Sequence, residues 1–166
     1  MQLPGHRRTQ RVAIGLAAAA IVVVSLRSHS TSLHKAAPAL PTKALQGTPV
    51  TVASLHGHPT ALVFWASWCN DCHVEAAAVE QFARSPAGSG RVVGVDDSDG
   101  GDWRSFVRRY HWSFPILADP DGTTLAAYGL TVSLPVTVVL DAQGRIASVR
   151  YGAQTFATLR RALAAA

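Results

Sequence analysis

Two cysteines and one methionine are all the sulfur this chain of 166 residues carries. Cys69 and Cys72 fall in a single stretch, Trp68-Cys69-Asn70-Asp71-Cys72-His73, so thiol chemistry is confined to one place. No cysteine lies near the end of the N-terminal apolar run, which excludes lipid attachment of the bacterial lipoprotein type. Charged residues make up only 15% of the chain. The net charge is +5, but the arginines are dispersed from Arg7 to Arg161. Without a basic stripe interleaved with aromatics, nucleic-acid binding is not expected. There is no internal repeat, and the length leaves no room for a second full domain beside one globular unit and a short appendage.

What is present begins with Val12 to Leu26, an uncharged run between the basic cluster Arg7, Arg8, Arg11 and the single Arg27. This pattern is that of a signal anchor or signal peptide. As a helix it would span on the order of 22 Å at about 1.5 Å per residue, short of a hydrocarbon core of roughly 30 Å, with Arg11 and Arg27 able to snorkel. Arginine directly after the run is unusual for a cleavage site, which favours the uncleaved anchor. The arginine excess on the N-terminal side places that end in the cytoplasm and the remainder outside. The expected organisation is an anchor or signal peptide over 1–28, a flexible linker over 29–41 and a globular domain over 42–166.

Within the globular part, short apolar runs alternate with amphipathic segments. Val50 to Ala53 is expected as a short strand, and Ala61 to Trp65 as a buried central strand. A helix is expected from Cys69 to about Ala83, with Val74, Ala78 and Phe82 on its inward face and Ser85-Pro86 ending it. Strands over Arg91–Val95 and Thr137–Leu140, a helix over Asp102–Tyr110, a hairpin into Ile146–Tyr151 and a last helix from about Gln154 to Ala165 complete an α/β fold around a mixed sheet.

The two cysteines then sit between a buried strand and the first turn of a helix. Unpaired N–H groups and the helix dipole stabilise an anion there, so Cys69 is expected to carry the favoured thiolate and to attack. Cys72, one turn on, is placed to displace a mixed disulfide. A purely structural disulfide would close too short a ring to stabilise the fold much. The stretch also has the CxxCH form of a c-type haem attachment signal. That use would need His73 as an axial ligand and commonly a distal Met or His, yet the only methionine is Met1. His73 is expected instead as an exposed helix residue whose charge tunes the neighbouring thiolate.

Phe64 to Glu75 (FWASWCNDCHVE), Leu55 to Pro59 (LHGHP) before it and Ser133 to Ile146 (SLPVTVVLDAQGRI) after it resemble the membrane-anchored, thioredoxin-like thiol-disulfide oxidoreductases of the TlpA, ResA and DsbE (CcmG) type. The resemblance covers roughly Thr42 to the C-terminus. It implies a thioredoxin fold, Cys69 and Cys72 as the redox pair, Trp68 shielding the site, and Pro135 as a cis-proline facing it. Beside such a proline the backbone of Leu134 would be free to pair with an incoming chain. The resemblance further implies a proton-moving role for Glu75. Two departures stand out: Asp71 replaces the proline common before the second cysteine, and Ala76 to Ala78 replace a proline after the glutamate. Asp71 brings negative charge near the thiols and opposes the thiolate, so a moderately reducing or intermediate couple is expected.

The expected function is thus an extracytoplasmic thiol-disulfide oxidoreductase acting on cysteines of partner proteins. Apocytochrome c is one such partner, a membrane electron donor or acceptor would renew the disulfide, and the protein would be a monomer. No cofactor beyond the redox-active disulfide and no bound metal are expected. A different class stays open: a module holding copper or zinc on the two thiolates, with His56, His58, His73 or His111 adding ligands. A peroxiredoxin is disfavoured because the segment before Cys69 lacks the threonine and proline framework of a peroxidatic cysteine. The acids Asp96, Asp97, Asp99 and Asp102 read as a surface loop, because Arg108 stands where a calcium loop would need its bidentate Glu.

Overall fold

The computed structural model describes residues 33–97, 101–130 and 133–166. The expected anchor over 1–28, the first residues of the expected linker and Asp99 lie outside the described residues. Six strands form one sheet: β1 (Ala44–Gln46), β2 (Thr60–Trp65), β3 (Val92–Asp97), β4 (Ile116–Asp119), β5 (Val136–Leu140) and β6 (Ile146–Tyr151). Among the described residues four α-helices accompany them: α1 (Asn70–Arg84), α2 (Trp103–Tyr110), α3 (Thr123–Ala127) and, after the last strand, α4 (Phe156–Ala164). The spatial order is β1-β4-β3-β2-β5-β6. Strands β2, β3 and β4 run parallel, while β5 and β1 lie antiparallel to β2 and β4 respectively. The mixed α/β architecture is the thioredoxin-like one expected.

Strand β2 is buried along its whole length because both of its faces are covered. Ala61, Val63 and Trp65 point into a layer shared with α1, α2 and α4, whereas Leu62 and Phe64 point into a second layer with Leu125 of α3 and Tyr128. Two-residue alternation therefore sends every side chain of the run into a core, which is why it reads as unbroken hydrophobicity. Gly94 of β3 leaves the space taken by the Trp65 indole: a Cβ there would lie 3.2 Å from Trp65 Nε1 and 3.3 Å from Ile116 Cγ1. That indole in turn packs on Phe106 and Trp112, with ring centroids 4.4 and 4.8 Å away. The aromatic cluster fixes α2 against the sheet directly beside the start of α1.

Several local expectations are corrected. Val74 is 72% exposed, and the inward face of α1 is instead Cys72, Ala76, Val79, Phe82 and Ala83. Two stripes share Phe82 in a 3.6-residue helix, and the many alanines give little hydrophobic contrast between them. Val50 to Ala53 is not a strand. Thr51 and Ser54 exchange side-chain and backbone hydrogen bonds, winding the chain into a 3-10 turn at Ala53–Leu55. Such local bonding by Ser and Thr competes with a ladder.

The segment preceding Thr42 is docked rather than free from His34 onward. His34 N–H donates to Ile146 O at 2.7 Å, Ala37 N–H to Gly144 O at 3.0 Å, and the Tyr128 hydroxyl to Pro38 O at 2.9 Å. Leu40 is buried in the second layer. The domain therefore starts about eight residues before the expected boundary, because the β5–β6 hairpin offers these residues backbone partners. Gly144, with φ +72°, makes that hairpin's turn, and a Cβ there would meet His56 Nε2 at 2.7 Å.

Candidate active site at the start of helix α1

Where β2 ends, the chain leaves the sheet at Ala66 and starts to coil at Asn70, with Cys69 as the N-cap of α1. Cys69 Sγ accepts the Cys72 N–H at 3.1 Å, and the Cys69 N–H donates to Ala66 O at 3.2 Å. The two cysteines form a disulfide with Cα atoms 5.2 Å apart. Cys72 is fully buried, whereas Cys69 is 6% exposed and opens onto a groove of about 510 Å³. Trp68, Asn70, Asp71, Ser133 and Leu134 line the rest of that groove. Trp68 is itself 62% exposed, so it forms a wall of the groove and leaves Cys69 open to it. The Leu134–Pro135 peptide bond is cis, as the resemblance implied. Residues distant in sequence, Cys69 and Leu134, face one cleft.

Glu75 lies one turn beyond Cys72 on the buried face of α1 and is only 1% exposed. Its Oε2 accepts the Gln154 N–H at 2.8 Å, while Oε1 has no hydrogen-bond partner among the described residues. Burial pushes its pKa up to about 7, and the Gln154 hydrogen bond offsets only part of that rise. Its protonation equilibrium therefore lies near neutral pH.

His73 is not the exposed residue expected from the sequence. Its ring is half-buried, with Nδ1 2.9 Å from the Tyr110 hydroxyl and Nε2 3.0 Å from Ser67 O. The carbonyl can only accept, so Nε2 carries a proton and donates to it. The ring also packs on Phe106, 4.8 Å between centroids, and on Tyr110, 5.6 Å. With both nitrogens engaged, His73 is not presented as a haem ligand. It instead clamps the loop before Cys69 to α2.

Asp71 is exposed in the first turn of α1, at the rim of the groove. Asp96 and Asp97 are not part of a surface loop: they are the buried last residues of β3. Asp97 pairs in register with Asp119 of β4, and burial together with the Asp119 charge raises its pKa to about 6. Among the described residues no three His, Cys, Asp or Glu side chains gather where they could hold a metal ion. His56 packs near Gly144, His58 leads into β2, and His111 ends α2 in the left-handed region with φ +56°. The residues that sequence reasoning missed are Gln154, Ser67 and Tyr110, which hold Glu75 and His73, and the groove residues Asn70 and Ser133. Asn70 and Ser133 flank residues already singled out; nothing local marks the other three.

Residues 33–149 match the AhpC/TSA family. The chain is 32% identical over 123 residues to the thioredoxin-like protein YneN of Bacillus subtilis, covering 72% of this chain and 71% of YneN. It is 25% identical over 131 residues to the thiol-disulfide oxidoreductase ResA of Bacillus thuringiensis, covering 78% and 75% of the two chains. A secreted disulfide oxidoreductase of Mycobacterium tuberculosis, homologous to DsbE of E. coli, superposes with a TM-score of 0.64 at 32% identity, covering 76% of this chain and 96% of that one. With the sheet order, the CxxC turn and the cis-proline already in place, these likenesses assign the chain to the AhpC/TSA family, as a thioredoxin-like thiol-disulfide oxidoreductase of the ResA and DsbE type.

Proposed function

We propose that Cys69 and Cys72 are the redox couple, that Cys69 is the sulfur that meets the partner, and that Glu75 carries the proton of Cys72. The observation behind this reading is the difference in access: Cys69 opens to the groove, and Cys72 is sealed above a buried acid. In the reducing direction the Cys69 thiolate attacks a substrate disulfide. A Cys69–substrate S–S bond forms as the substrate bond breaks, and the expelled substrate thiolate takes up a proton. Cys72 gives its proton to the Glu75 carboxylate and attacks Cys69 Sγ. This forms the Cys69–Cys72 disulfide, expels the second substrate thiolate and moves two electrons to the substrate. Oxidation of a substrate dithiol runs through the same bonds in reverse.

The N-cap geometry supports the roles, since the N–H that reaches Cys69 Sγ would also stabilise its thiolate. Asp71 opposes this from the same turn, and the couple is moderately reducing or intermediate, below about −150 mV. Trp68 and Leu134 give the partner chain apolar contact, and Pro135 turns the backbone of Leu134 toward it. The disulfide is the only redox group the reaction needs. Residues 1–28 anchor the protein in the membrane with the domain outside the cytoplasm, or release it there if they are cleaved. The domain works as a monomer, a membrane electron donor or acceptor renews it, and apocytochrome c is one of its substrates. The secreted M. tuberculosis relative is consistent with this placement.

A Cys72→Ser variant tests the roles directly. It should accumulate mixed disulfides through Cys69, and the captured proteins name the substrate class. Accumulation in Cys69→Ser instead would reverse the assignment. The metal-module alternative predicts copper or zinc retained in stoichiometric amount after dialysis of the reduced protein, and haem attachment predicts a visible absorption band; neither is expected.

A further inference from the structure

Among the described residues that line the groove over Cys69, Asp71 is the only one with a charged side chain. It stands in the first turn of α1, exposed to water. The positive end of the helix contributes roughly half a unit charge at the same place, so the full negative charge of Asp71 outweighs it. A Cys69 thiolate adds to the negative side. The remaining walls are the 62% exposed Trp68 indole, the partly buried Leu134 and the uncharged Asn70 and Ser133.

We infer that the groove selects extended polypeptide segments in which the reacting cysteine has a lysine or arginine within two residues on the side that faces Asp71 and an apolar residue toward Trp68 and Leu134. This inference rests on the oxidoreductase role proposed for Cys69 and adds its substrate class. In an extended chain, residues two positions apart lie on one face, so a single flanking residue reaches the Asp71 rim while the cysteine sits at the floor. A groove of about 510 Å³ is within the usual size of ligand sites, roughly 300–1,000 Å³, and admits a short chain segment. The charge acts through water, which makes it a modest selector: at separations of several ångström, attraction of lysine and repulsion of glutamate together amount to about tenfold in rate at low salt. Screening shortens its reach from about 10 Å at 0.1 M salt to about 3 Å at 1 M.

The test uses three disulfide-linked peptide dimers identical but for Lys, Gln or Glu two residues from the cysteine. Each is reduced by the fully reduced protein, and the release of peptide thiol is timed. The same peptides reduced by dithiothreitol correct for the effect of the flanking charge on the peptide thiol itself. The corrected Lys-to-Glu rate ratio should be about tenfold at low salt, fall below about twofold in 1 M salt and in Asp71→Asn, and invert in Asp71→Lys. Reduction of the Gln peptide with equal corrected rates for Lys and Glu overturns the inference and leaves the oxidoreductase role standing. No reduction of any peptide overturns both.

Discussion

The backbone N–H of Gln154, in the loop that opens α4, holds Glu75 by a 2.8 Å hydrogen bond to Oε2. The acid beneath the disulfide is thereby tied to a segment at the far end of the chain. This contact keeps Oε2 satisfied, while burial raises the pKa to about 7.

Glu75→Gln keeps the acceptor for Gln154 but cannot carry a proton. The rate of disulfide exchange should fall by roughly a hundredfold or more, and its pH profile should lose the inflection near 7. Stability moves the other way. A folded pKa raised from 4.5 to about 7 favours the folded state most below pH 4.5, and that contribution is lost as pH rises through 7. The variant should therefore be more stable than the parent at pH 8, by on the order of 3 kcal/mol in the oxidised form, with the difference shrinking toward pH 4. Equal denaturation midpoints at pH 8 would show that the carboxylate bears no burial cost.

Tyr110→Phe removes the hydroxyl bonded to His73 Nδ1 and leaves the ring stack on Phe106 in place. Urea unfolding should show a loss of about 1 kcal/mol. His73→Ala should cost about 2–3 kcal/mol, since it also removes the Nε2–H bond to Ser67 O and empties the space beside Phe106. A His73→Ala protein as stable as the parent would mean that the clamp between the pre-Cys69 loop and α2 contributes nothing.

Asp97 and Asp119 lie side by side in register at the ends of β3 and β4, and Asp119 spends its oxygens on the N–H groups of Thr124 and Leu125. With its pKa raised from 3.8 to about 6, Asp97 supports the fold best below pH 3.8 and loses that support as pH rises through 6. Asp97→Asn should raise the melting temperature at pH 7.5 and make no gain at pH 4. Allowing for screening, the gain corresponds to about 1 kcal/mol.

Gly94→Ala places a methyl group against Trp65 Nε1, Ile116 and Phe114 at 3.2 to 3.4 Å. The neighbours are fully or almost fully buried and cannot withdraw freely, so a loss of about 1–3 kcal/mol is expected. Because Trp65 also supports Phe106, near-ultraviolet circular dichroism should change along with the midpoint. An unaltered spectrum and midpoint would show that the space under the indole is slack.

What could be read from the residues in order was whatever neighbours in sequence determine. Strand β2, helix α1, the hairpin turn at Gly144 and the dithiol at a helix start all declare themselves through apolar runs, turn chemistry and spacing within about fifteen residues. Strands β1 and β4 and helix α3 escaped because three to five residues are too few to show a period, and pairing with neighbours makes them. For Pro135 the local chain could not select the cis form; only the family resemblance raised it. The burial of Glu75, the clamping of His73 and the meeting of Leu134 with Cys69 were decided in three dimensions. Each depends on partners from other elements, Gln154, Tyr110 and the loop before β5, whose approach is driven by the two apolar layers of the sheet. Side-chain chemistry and local spacing thus specify the sulfur pair by themselves; whether a carboxyl beside it is solvated or dry depends on what folds over it.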